Sequence, residues 1–96
     1  MGSAIVIPEE VAPFLKIVLY FTYHISEVDE KSLLRYLRPE FLRKVVGRQR
    51  ADYECALSWA VEHSDAEFQT LLPDIKFSNT ECLKLLRFFL LNIRSL

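Results

Sequence analysis

The sequence predicts an all-α fold, a compact bundle of five to six short helices in a single domain. Three observations lead there. After the first three residues only Gly47 remains, and no Asn-Gly or Asp-Gly pair occurs, so the tight turns of an antiparallel sheet are missing. Helix-start signals recur along the chain. Apolar residues repeat at spacings of three and four, the period of a helix face.

Met1-Gly2-Ser3 resembles an expression-vector remnant and is set aside, leaving residues 4–96 as one helical domain. Ala4 to Ile7 reads as a short extended arm. A first helix is expected over residues 9–25, with Pro8 near its first position and Glu9 and Glu10 at the positive end of its dipole. Ser26-Glu27-Val28-Asp29 resembles a capping box and opens a second helix over 28–38. Pro39 suits the first turn of a third, over 39–46, which Gly47 ends. A fourth is expected over 48–63. Ser64-Asp65-Ala66-Glu67 has the capping-box form and opens a fifth over 65–72, stopped by Pro73. Ser78-Asn79-Thr80-Glu81 repeats the form ahead of a last helix over 79–95.

Periodicity then sorts the faces. On the first helix Val11, Phe14, Leu15, Val18, Phe21 and Ile25 form a core face, while Lys16, Tyr20 and His24 run along the other side, with Ile17 turned towards it. Leu33, Leu34 and Leu37 are expected to face inward on the second. On the fourth, Tyr53, Ala56, Leu57 and Ala60 face inward, and Trp59 falls opposite, beside Asp52, Cys55 and His63. On the last, Cys82, Leu85, Leu86, Phe89, Leu90 and Ile93 form the core face. Phe88 and Leu91 project instead with Lys84, Arg87 and Asn92. Apolar residues on a second helix face mean either burial on two sides or an interface.

Charge is segregated along the chain. Residues 31–50 carry seven cations, Lys31, Arg35, Arg38, Arg43, Lys44, Arg48 and Arg50, against the single acid Glu40. The preceding 30 residues hold five acids against Lys16, and residues 51–75 hold six acids with no Lys or Arg. The formal net charge is only −1. Such a block either forms a solvated face or steers the domain toward an acidic partner.

The expected function is a protein–protein interaction or assembly module, an adaptor or regulatory domain. The seven cations would face an acidic protein surface, and Trp59, Phe88 and Leu91 would serve as apolar anchors. Patches of opposite sign also allow a homo-oligomer. The alternative is a nucleic-acid-associated regulator using residues 31–50, where a helix, the turn at Gly47 and a helix opening Arg48-Gln49-Arg50 resemble a helix-turn-helix. The acids that follow at once, and a pI of about 6.1, weigh against it.

No enzymatic motif occurs: there is no C-x-x-C, H-E-x-x-H, G-x-S-x-G or P-loop. Cys55 and His63 are eight residues apart on one helix, about 12 Å of rise, beyond a nucleophile–base pair or a shared metal. No catalytic residue, metal site or cofactor is therefore expected. Both cysteines are expected as reduced, small apolar core residues of an intracellular protein. No run approaches the ~20 apolar residues of a membrane span.

Overall fold

The computed structural model describes residues 6–25, 27–72 and 74–95. Among them are five α-helices, α1 (Ala12–Tyr20), α2 (Glu30–Tyr36), α3 (Pro39–Val46), α4 (Arg50–Glu62) and α5 (Asn79–Arg94), two short 3₁₀ turns (Phe21–Tyr23 and Phe68–Leu71), and no strand. The all-α bundle is as the sequence predicts. The expected arm lies mostly, and the cap at Ser26 and the stop at Pro73 wholly, outside the described residues.

The element boundaries differ from expectation for local reasons. A helix starting at residue 9 would place Pro13 in its interior, without an N–H and against the carbonyl four residues back. The chain instead makes a turn, with Val11 and Ala12 N–H both donating to the Pro8 carbonyl at 3.0 and 2.9 Å, and α1 starts at Ala12. Its far end tightens into the first 3₁₀ turn. There the Thr22 hydroxyl, buried among apolar residues, donates to the Leu19 carbonyl at 2.7 Å.

The cap of α2 is Asp29, whose carboxylate accepts from Ser32 N–H at 2.7 Å. Pro39 excludes Arg38 from helical geometry, and Arg38 is extended (φ −74°, ψ 153°), so α2 stops short. Gly47 ends α3 at φ 50°, ψ −124°, a conformation that favours glycine.

The expected helix over 65–72 is not formed. Only a 3₁₀ turn is present at Phe68–Leu71, and the Ser64 box is not made. The reason lies in α5. Asn79 accepts from Phe68 N–H at 2.8 Å and donates to the Ala66 carbonyl at 2.9 Å, taking the backbone groups a helix would need. Gln69 adds a bond to the Phe77 carbonyl. Leu72, which precedes Pro73, is extended. The third box is present in both directions: Ser78 accepts from Glu81 N–H at 3.2 Å, and Glu81 accepts from Ser78 N–H at 3.1 Å.

The core is shared by α1, α4 and α5, with α3 closing one side of α5. All six residues expected on the core face of α5 are buried, as are Tyr53, Ala56, Leu57 and Ala60 of α4. An aromatic seam joins the elements: Phe14 meets Tyr53 edge-on at 4.9 Å, and Phe21 meets Phe41 at 5.2 Å and Phe89 at 6.2 Å. Such pairs contribute about 0.5–1.5 kcal/mol each beyond area burial. Leu19, buried in α1, belongs to the core although its helical position falls beside the expected stripe.

Candidate functional site

The cations expected to bind are all on the surface. Lys31 and Arg35 are exposed on α2, where Arg35 lines a small hollow with His24, Ile25, Ser32 and Tyr36. Arg38 is exposed in the extended link between α2 and α3, and Arg43 and Lys44 project from α3, whose Leu42 and Val46 are buried. Arg48 is exposed in the turn that follows. Among the described residues none of these six makes an ion pair. Arg50 differs. It pairs with Glu54 at 3.4 Å and donates to the Arg94 carbonyl, tying the start of α4 to the end of α5. The acidic segment 51–75 therefore neutralises little of the basic block within one copy.

The apolar anchors fall on two separate surfaces. Phe88, half-buried, and Leu91, 57% exposed, line a groove of about 300 Å³ between α5 and α2, together with Glu30, Leu33, Lys84 and Arg87. Trp59 lies elsewhere. It lines a shallow depression of about 480 Å³ on the outer side of α4 with Ala51, Glu54, Cys55, Ser58 and Glu62. Its indole stacks on the His63 ring at 4.4 Å, and His63 Nδ1 is 2.8 Å from the Trp59 carbonyl. A third groove, almost wholly apolar, is formed by Ile17, Tyr20, Phe21 and Leu72 with Lys16 at its edge.

Two expectations need correction. Leu34 is 52% exposed rather than inward-facing, because α2 buries only the narrow stripe of Leu33 and Leu37, an i, i+4 pair. Cys55 is exposed rather than in the core, since it shares the outward face of α4 with Trp59. Cys82 is buried, and burial, aided by the charge of Glu81, pushes its thiol up to about 11, leaving it protonated and unreactive.

Sequence reasoning did not select Lys84 and Arg87 as site residues, although their spacing with Phe88 and Leu91 (i, i+3, i+4, i+7) already put all four on one face. Lys84 also bears on α2. The Asp29 carboxyl is held below its usual range chiefly by the Ser32 N–H, with the Lys84 charge as the smallest contribution. The groove has an apolar floor, two flanking cations and one acid, Glu30, with further exposed cations over α2 and α3.

Among the described residues no three His, Cys, Asp or Glu side chains converge as metal ligands. Nor is any described helix long and apolar enough to cross a membrane. No known family model, curated protein or solved structure matches the chain.

Proposed function

We propose that this chain is a protein-docking module, an adaptor or assembly domain whose α2–α5 groove receives an apolar stripe from an acidic partner. The carrying observation is that six exposed cations on α2, α3, the link between them and the turn after α3 make no ion pair among the described residues, on a surface that also holds the groove with Phe88 and Leu91 in it. Unpaired charge on a low-dielectric body steers association, and partly exposed aromatic and aliphatic side chains supply the residence time. Lys31, Arg35 and Arg38 do not line the groove, so their part is chiefly to attract.

The test uses a fluorescein-labelled amphipathic peptide with leucines on one face and glutamates on both flanks. Arg35→Glu combined with Arg38→Glu should slow its association and weaken binding at least tenfold, with helix content by circular dichroism unchanged. Unaltered binding in that variant would remove the electrostatic half of the proposal. Tighter binding to a labelled DNA duplex than to the peptide would favour nucleic acid as the partner.

A further inference from the structure

The α2–α5 groove has a counterpart on the chain itself. Its floor is apolar, formed by Leu33, Phe88 and Leu91, and its edge carries the two cations Lys84 and Arg87 against one acid, Glu30. The outer side of α4 presents the complement. Trp59, the one tryptophan of the chain, is partly exposed there, and Asp52 and Glu62 lie on its side of the helix. No Lys or Arg occurs between residues 51 and 75, and the cations that reach this side are Arg50, paired with Glu54, and Arg94, which donates to Ser58 at 3.2 Å.

The two surfaces cannot satisfy each other within one copy. α4 packs inward through Tyr53, Ala56, Leu57 and Ala60, and α5 packs inward through Leu85, Leu86 and Phe89. What remains of each helix looks away from the other.

We infer that the occupant of the α2–α5 groove is a second copy of this chain, presenting the Trp59 face of its α4. The inference rests on the docking reading above and names its partner. Trp59 enters between Phe88 and Leu91, while Asp52 and Glu62 meet Lys84 and Arg87. Because the two surfaces differ, the contact is heterologous: each docked copy still offers one free groove and one free α4 face. Growth therefore continues past the dimer unless the rotation between copies closes a ring. A stable contact of this kind takes about 800 Å² from each copy, a modest share of the 6187 Å² surface.

The experiment is sedimentation velocity on the full chain from micromolar to millimolar concentration, with two charge-reversed variants. The groove variant is Lys84→Glu with Arg87→Glu. The face variant is Asp52→Lys with Glu62→Lys, and it also carries Trp59→Phe. The unaltered chain should gain mass with concentration and lose it with added salt. Each variant alone should remain a single chain. Their mixture should regain mass with the two variants in equal numbers, because the groove variant supplies an intact α4 face, the face variant an intact groove, and the two reversed surfaces again match in charge. Tryptophan emission in the mixture comes from the groove variant alone and should move to shorter wavelength.

Three results would overturn the inference: an unaltered chain that stays monomeric throughout, mass growth undiminished in both variants, or folded monomeric variants that fail to pair. Should a double reversal lose helix content, Arg87→Gln and Glu62→Gln provide the same reading, each expected to weaken association several-fold. A monomeric chain that still binds the acidic amphipathic peptide would overturn self-docking and leave the docking module standing. A chain that binds neither would overturn both.

Discussion

Asn79 does more than begin a helix: its amide closes the 66–68 loop through two backbone bonds while Ser78 beside it caps α5. Asn79→Ala should leave the Phe68 N–H and Ala66 carbonyl unpaired and cost about 1–3 kcal/mol, whereas Ser78→Ala should cost about 1 kcal/mol. Urea unfolding of the two variants checks both. The cysteines divide in reactivity. Iodoacetamide should modify Cys55 in the native protein and Cys82 only after unfolding, read by mass spectrometry of digested samples.

The Cys82 shift also fixes a pH dependence. An unfolded thiol near its ordinary value of 9.0 releases a proton that the folded state keeps up to about 11. That contribution to stability is thus whole below pH 9 and lost as the pH rises toward 11. Burial raises Tyr53 in the same sense, extending the loss further up. Cys82→Ala should flatten the alkaline fall of the urea midpoint. Asp29 works in the opposite direction: its lowered carboxyl stabilises above the ordinary value of 3.8, and that support fades as the pH falls through the acid range.

Among the elements, α5 was legible residue by residue, because one stripe of a long helix faces one core and both capping partners are local. The helix expected at 65–72 was not. Ser64 and Glu67 have the local form of a cap, but the decisive partner is Asn79, eleven residues beyond Phe68 and on another element. Local pattern cannot register a competitor of that kind. The start of α1 was readable in principle from Pro13, since a proline fits the first turn and not the middle of a helix. The two sides of α5 should respond differently to truncation. Phe89→Ala removes a fully buried ring and should cost about 3–5 kcal/mol, a large part of the about 5–15 kcal/mol that holds a domain folded, so the urea midpoint should fall sharply. Phe88→Ala with Leu91→Ala should preserve helix content and abolish peptide binding. Gly47→Ala should cost about 1–3 kcal/mol through its backbone conformation alone, since a Cβ there meets nothing within 4 Å.

At the scale of the molecule, charge segregation along the sequence becomes segregation over the surface. Residues 31–50 fold into two short helices, a link and a turn that set Leu33, Leu37, Leu42 and Val46 inward and six cations outward, and the acids of 51–75 follow on α4 and the loop beyond it. That much could be read from composition. The division of the anchors could not: Trp59, Phe88 and Leu91 form one set in sequence but two surfaces in space, because α4 and α5 pack face to face and turn their outer sides apart. The pairing of Phe88 and Leu91 with Leu33 and Glu30 likewise depends on where α2 lies against α5, which no periodicity specifies. The central claim is that this basic surface recognises protein. Its most direct test is an anisotropy titration at physiological salt, with the labelled acidic amphipathic peptide and a labelled DNA duplex in parallel. The account predicts saturable binding of the peptide and none of the duplex. Duplex binding that persists at that salt and weakens steeply above it, with the peptide left unbound, would contradict the account and make nucleic acid the ligand of the basic face.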